Sequence, residues 1–341
     1  MTLKCALAGI WHGGGKGIIA RNSGTGLAPE CNSTVARKAV FEDFGDFLSR
    51  LKGCIYAAQD VGISNEDVLS LHSRTRFMNC LPPSMGGSGV PAIPTARGVV
   101  IALEAAFQHL DMTLKGSSIA VQGVGNVGSH LIELLFDRGV ERIIACGLDP
   151  LKEAGIRAKF AKHGDKFLFR NVPRSDNSIL FESVDAVVPC ATGGILNTLT
   201  IPQIRAKIIC GAANNQLLDA TSDDKLLRER RIVYVPDFLC NRMGIVNCAD
   251  ELIGSMKNDP KIEMHLGRDW DNSIYNITTK VLQDSDVSGK TTQEISLALA
   301  ENLSQVPHPL HGHRGIQIIE SLVDHDNSWR TVVTSSFSSL Q

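Results

Sequence analysis

Apolar residues recur along this chain at two spacings, and the change from one to the other organises it. Val35, Ala39, Phe41, Phe44, Phe47, Leu48 and Leu51 fall at helical spacing and predict an amphipathic helix over 34–51. Residues 54–58, CIYAA, read as a short strand. Ser64-Asn65-Glu66-Asp67 puts a capping side chain ahead of carboxylates, the pattern of a helix start. The stretch 82–94, PPSMGGSGVPAIP, is too dense in Pro, Gly and Ser to continue a helix or a central strand, and it marks the expected domain boundary.

Beyond it, helical patterns at about 95–110 and 126–138 alternate with apolar runs at 118–122 (SIAVQ) and 142–148. Further runs follow at 184–190, 206–212 and 231–236. Strands alternating with helices predict an α/β fold, a parallel sheet covered on both faces. From about 250 the pattern is helical. Ile262, Leu266, Trp270, Ile274, Ile277 and Val281 predict one helix over 261–284 with a buried face, for which a subunit contact is the alternative use. The final SSFSSLQ is polar and is expected to fray.

Composition narrows the function classes. The chain has 341 residues, 43% of them hydrophobic and 21% charged, enough for roughly two domains. A net charge of −2 with no long basic run argues against nucleic-acid and acidic-membrane partners. No apolar run approaches the ~18 residues of a membrane span, and the run at the start is too short for a signal peptide. A soluble, cytoplasmic protein is expected. The nine cysteines form no Cys-x-x-Cys and lie mostly in apolar stretches, as small buried residues of a reducing compartment do. His308, His311 and His313 sit among prolines and a glycine without a cysteine or carboxylate cluster; a solvated loop is expected there, and no metal.

Three constellations carry chemistry. Gly123-Val124-Gly125-Asn126-Val127-Gly128 follows the strand SIAVQ and opens a helix that continues with Ser129. That context suits a dinucleotide turn: Gly123 for the bend, Gly125 for close approach of a pyrophosphate, Gly128 for helix–strand packing. The carboxylate that should end the next strand is displaced. Cys146 and Gly147 stand in its place, and Asp149 either reaches the ribose or caps the helix after it. The second constellation is Gly13-Gly14-Gly15-Lys16, with Lys4 upstream. Glycines there suit a backbone that must approach a ligand, and a lysine dried by a cleft and a second cation can act as a base. Residue types alone favour a surface loop with a solvated lysine. The third is Asp60, which either caps a turn or faces a cleft as a proton carrier.

Taken together, these blocks resemble the glutamate/leucine/phenylalanine/valine dehydrogenase superfamily, on its leucine/phenylalanine branch. The resemblance rests on Met1-Thr2-Leu3-Lys4 with Gly13-Gly14-Gly15-Lys16, Gln59-Asp60-Val61-Gly62, Thr95-Ala96-Arg97-Gly98, the turn at 120–128, Pro189-Cys190-Ala191 with Gly194, Ala212-Ala213-Asn214-Asn215-Gln216-Leu217, and Asn247 with Ala249-Asp250-Glu251. It runs to about Leu252. It implies a Rossmann-type doubly wound nucleotide-binding domain over 95–285, a shortened α/β substrate domain over 1–94, and C-terminal helices over 286–341 packing back on the first domain. It implies a homo-oligomer that carries out NAD(P)-dependent, reversible oxidative deamination of an L-amino acid to a 2-oxo acid and ammonia. On that basis Lys4 holds the substrate carboxylate, Lys16 is the base that activates water, and Asp60 shuttles protons at the nitrogen. Asn215 orients substrate and nicotinamide, Ala58, Ile245 and Cys248 line an apolar side-chain pocket, and Thr95 and Asn214 contact the cofactor. NAD is the expected cofactor, with NADP tolerated.

Two departures from the family pattern qualify this. The chain starts at the two-lysine segment, where the family has several tens of residues more. The strand at 54–58 would then be an open edge, and the expectation is a shortened gene model, with cover by neighbouring subunits as the alternative. The family's Asn-Ala-Gly-Gly reads Asn241-Arg242-Met243-Gly244, placing a long cation and a thioether near the cleft. Narrowing the pocket, altering preference and blocking turnover are the alternative consequences, the last leaving a dinucleotide-binding scaffold without activity.

Overall fold

The computed structural model describes residues 1–19, 34–60, 62–254, 256 and 258–324. The fraying expected of the final SSFSSLQ, and Val61 of the aspartate motif, lie outside the described residues.

The first part is helical: α1 (Thr2–Leu7), α2 (Thr34–Arg50) and α3 (Asn65–His72). α3 begins where its cap signals place it. The Ser64 side chain accepts from the Asp67 N–H, and the Asp67 carboxylate accepts from the Ser64 N–H. Phe41 and Leu48 of α2 meet Val68 and Leu71 of α3 and Met78 in a small core of their own. The strand expected at 54–58 does not form. Ala57 makes one parallel bridge, taking its N–H to Phe77 O at 3.0 Å and accepting from Asn79 N–H at 2.8 Å. A lone pair of short segments with no third neighbour has little to propagate it.

α4 (Ala92–His109) starts inside the proline-rich stretch, because a proline in the first turn costs no helical hydrogen bond. There follow β1 (Ser118–Gln122), α5 (Asn126–Asp137), β2 (Arg142–Gly147), α6 (Pro150–Phe160), β3 (Phe167–Asn171), β4 (Ala186–Pro189), β5 (Ile208–Ile209), α7 (Ser222–Glu229) and β6 (Val233–Tyr234). All six strands are parallel, in the order β3-β2-β1-β4-β5-β6. This is the doubly wound Rossmann arrangement, and its order reverses between β1 and β4.

The alternation within each strand divides the core. Ile119, Val121, Ile143, Ala145, Ala186 and Val188 face a large cluster with α4 and α5. Ala120, Ile144, Val187 and Ile209 face a second cluster with Leu180, Leu196, Ile201 and Leu227. Both faces are dry, which is why the strands read as continuous apolar runs.

The last helices are α8 (Asp237–Cys240), α9 (Met243–Asp250), α10 (Pro260–Leu266), α11 (Ile274–Ser288), α12 (Thr292–Ser304) and α13 (Arg314–Asp324). The single helix expected over 261–284 is thus two. Gly267 closes α10, and Ser273 caps α11 by accepting from the Asn276 N–H. The buried face expected of it holds for α11, whose Ile274, Ile277, Val281 and Leu282 enter the large core. α12 lies against α1, so the chain's end braces its beginning. In the loop before α13, His308 stacks on His311 and meets the Trp11 ring edge-on.

Gly98 sets how closely α4 approaches its neighbours. A methyl group there would stand 2.9 Å from both the Cys240 carbonyl and Ile274 Cδ1 and 2.8 Å from Met243 Cγ. Alanine adds about 1 kcal/mol of helix propensity, but overpacking of this kind costs about 1–3 kcal/mol. Gly98→Ala is expected to lower the urea midpoint at unchanged m-value; a raised midpoint would show that α9 and α11 yield freely.

Candidate active site

The glycine turn lies at the carboxyl end of β1, beside the reversal in strand order. Gly123 has φ +95, a conformation that disfavours any side chain, and a Cβ there would stand 2.9 Å from the Ala191 methyl. A Cβ on Gly128 would collide with the Gly123 carbonyl, so α5 packs on β1 only with glycine at that position. Gly125 differs: a Cβ there would meet nothing within 4 Å. It is the N-cap of α5, and no side chain caps the helix. The first N–H groups of α5 therefore open onto free space next to a residue without a side chain, a cradle that fits a pyrophosphate. Asn126 is exposed at this mouth, and Val124 and Val127 turn into the core. The Ser129 hydroxyl accepts from Lys159 of α6 at 3.0 Å. Asp149 caps α6, accepting from the Leu151 N–H at 3.0 Å, and Lys152 approaches its other oxygen. Asp149 thus caps the helix after it.

Across the crevice, the Lys4 ammonium donates to Asn214 Oδ1 at 2.8 Å, and Asn241 Nδ2 donates to the same oxygen at 2.9 Å. Asn241 also reaches the Ala212 carbonyl at 3.0 Å. Burial lowers the Lys4 pKa, and the charge of Lys16 lowers it further, against the pull of Asp237. Asn215 stands next in line with φ 51, held there by its N–H donating to Asp237 Oδ2 at 3.1 Å.

Lys16 forms an ion pair with Asp60. Both remain about half exposed, at 53% and 43%, so the pair is open to the cleft and to water. Partial burial lowers the Lys16 pKa. Three of the glycines around Lys16 allow close packing within the protein. A Cβ on Gly15 would lie 2.7 Å from Ile55 Cδ1, one on Gly17 2.9 Å from Phe44 Cζ, and one on Gly14 against Met1 and Thr2. Glycine at 14, 15 and 17 lets this backbone pack closely on the start of α1, on Ile55 and on Phe44, with Lys16 opposite Asp60.

Ile245 and Cys248 share one face of α9, a turn apart. Cys248 Sγ lies 2.9 Å from Cys80 Sγ, both buried. Cys80 follows Asn79, whose N–H donates to the Ala57 carbonyl next to Ala58. The eight cysteines among the described residues are all free thiols, and Cys31 lies outside them. Thr95 Oγ1 donates to the Pro91 carbonyl and lies beneath Gly244, where a Cβ would approach it to 2.8 Å. Arg242 and Met243 do not line the crevice. Both are fully buried: the arginine bonds to the Leu7 and Asn272 carbonyls, and the methionine packs beside Gly98.

Three groups to which the sequence assigned no individual role also matter here. Asp237 is 7% exposed, and burial raises its pKa although Lys4 and the Asn215 N–H oppose that. Its signal was available: a carboxylate directly after the last sheet strand, at the carboxyl edge where α/β sheets bind ligands. Glu251 accepts from the N–H groups of Cys80, Leu81 and Ser88 and from the Ser88 hydroxyl, tying the 80–88 loop to the end of α9. Cys80, at φ 63, is the third. Neither Glu251's nor Cys80's partners could be read from spacing.

Comparison with known proteins bears on the family and the fold. Residues 86–149 and 152–303 match the model of the Glutamate/Leucine/Phenylalanine/Valine dehydrogenase family. A leucine dehydrogenase of Bacillus cereus is 37% identical over 303 residues, covering 88% of this chain and 75% of that protein. A phenylalanine dehydrogenase of Lysinibacillus sphaericus is 36% identical over 259 residues, 75% of this chain but 64% of that protein's length. The crystal structure of L-tryptophan dehydrogenase from Nostoc punctiforme superposes with a TM-score of 0.66 at 30% identity, over 89% of this chain and 79% of that one. By ordered motifs, fold and extent of similarity, this chain belongs to the glutamate/leucine/phenylalanine/valine dehydrogenase family.

Proposed function

We propose that the protein catalyses reversible, NAD-dependent oxidative deamination of an apolar L-amino acid, consuming water and yielding the 2-oxo acid, ammonium, the reduced cofactor and a proton. The observation that carries this reading is the arrangement of two burial-depressed lysines in one cleft, one held by Asn214 and the other paired with Asp60. The cofactor, when bound, supplies the hydride acceptor. The Gly123–Gly128 turn and the open start of α5 would hold its pyrophosphate, with Thr95 and Asn214 toward the nicotinamide.

The remaining steps belong to this chain's side chains. The Lys4 ammonium attracts the substrate carboxylate, and its partial desolvation strengthens that attraction. Asn215, pinned by Asp237, orients the α-carbon substituents. Lys16 in its neutral form takes a proton from the water that attacks the imine carbon. Asp60, within reach of Lys16, carries protons to and from the departing nitrogen. Neutral walls at Ala58, Ile245 and Cys248 suit an apolar side chain. No carboxylate stands at Cys146 or Gly147 to repel a 2′-phosphate, so NADP is used as well, less efficiently. A cytoplasmic homo-oligomer is the setting this reading supports, given a net charge of −2 and free thiols throughout the described residues.

An absorbance assay at 340 nm with L-amino acids of graded size tests the reading. Leucine, valine or phenylalanine should be oxidised well ahead of glutamate and lysine. The rate should rise with pH and level off below the titration range of free lysine, because the base acts deprotonated. No turnover of any amino acid with either cofactor would contradict the reading.

The turn has a separate signature. Gly125→Ala meets no atom and should leave the melting temperature unchanged, while weakening NAD binding about tenfold or more by obstructing the pyrophosphate. Gly128→Ala should destabilise the fold itself. Equal effects of the two on stability would contradict the assignment.

A further inference from the structure

Among the described residues, Arg242 is the largest side chain wholly withdrawn from solvent. Burial lowers its pKa to about 9, with no acidic group offsetting it, so it remains a cation at neutral pH. A buried charge without a counter-ion is costly, and its partners therefore matter. Among the described residues they are two backbone carbonyls from distant segments, Leu7 O at the end of α1 and Asn272 O in the turn before α11.

The Leu7 carbonyl belongs to the last turn of α1, where carbonyls lack helical partners and the helix dipole is negative. A cation is the suited partner there. α1 has only six residues and no capping side chain at its start, so it does not persist by itself. One turn before Leu7 it carries Lys4. The residue adjacent to Arg242 is Asn241, which shares Asn214 Oδ1 with the Lys4 ammonium. Residues 241 and 242 therefore grip α1 at two points, Asn241 at the lysine head through Asn214 and Arg242 at the helix end.

We infer that Arg242 is a positioning residue for substrate recognition: by pinning the carboxyl end of α1 it fixes the Lys4 ammonium over Asn214, where the substrate carboxylate is received. This rests on the role given to Lys4 above. It also assigns a use to a residue that, read from its position in the sequence, should have obstructed the cleft.

The test uses the full chain with Arg242→Met, which keeps length without donors, and Arg242→Lys, which keeps the cation and reaches one carbonyl. KM for the best amino acid should rise about tenfold or more in the methionine variant and about threefold in the lysine variant, with a much smaller change in kcat. The Kd for NAD, measured by titration calorimetry, should stay within twofold, which a general structural defect would not permit. KM within twofold of the unaltered chain in the methionine variant, or NAD binding weakened in parallel with KM, overturns the inference. Should that variant fail to fold, the lysine variant decides: a raised KM with unaltered NAD binding supports it, and an unaltered KM overturns it. If the unaltered chain turns over no amino acid, the reading of Lys4 has failed separately. The pinning is then read from acetylation of Lys4 by acetic anhydride, followed by mass spectrometry. A rate at least threefold higher in Arg242→Met supports it, and an equal rate overturns it.

Discussion

The site depends on holding two ammonium groups near each other while both are partly withdrawn from water. Burial disfavours their charged forms, and each lysine is kept in place by a different compensation. Lys4 donates to the Asn214 amide oxygen, with the charge of Asp237 favouring its ammonium form; Lys16 pairs with the Asp60 carboxylate. Asp237 is itself pushed up by burial. In the proposed function this has a use: a substrate carboxylate entering beside Lys4 would supply charge that the partly dry cleft lacks.

The fold makes this arrangement possible from both ends of the chain. The parallel sheet brings β1 and β4 to its reversal point, where the glycine turn opens. The segments after β4, β5 and β6 deliver Cys190, Asn214 and Asn215, and then Asp237 and Asn241, to the same edge. α1 lies against this edge under α12, and Arg242 fastens it. Close approach recurs as the device: Gly128 on the Gly123 carbonyl, Gly244 on Thr95, Gly14 and Gly15 on Met1, Thr2 and Ile55. Each is a place where a methyl group would push two functional segments apart.

Much of this was legible in the sequence because it is local. The cap at Ser64, the strand–glycine–helix order at 118–137 and the apolar runs of the buried strands announce themselves within a few residues. The misreadings were non-local. β3 has one buried residue in five and lies at the sheet edge, and its apolar run is only the three residues Phe167-Leu168-Phe169. The segment at 54–58 had strand composition but only one short partner. One helical face appeared continuous over 261–284 because Trp270 falls in register across a turn. The close neighbours of Gly14 and Gly15, namely Met1, Thr2 and Ile55, could not be inferred from spacing. Arg242 looked like an obstruction because its direction is set by carbonyls at residues 7 and 272. Residue type and order located the chemistry; which groups face one another is a property of packing.

The central claim is that Lys16 acts as a base within a site whose binding functions are carried by other residues. Replacing it with alanine and measuring kcat and NAD affinity on the same preparation tests this most directly. The account predicts a fall in kcat of about 10² or more, with the dissociation constant for NAD unchanged. Unaltered turnover, or cofactor binding lost in step with activity, would contradict it.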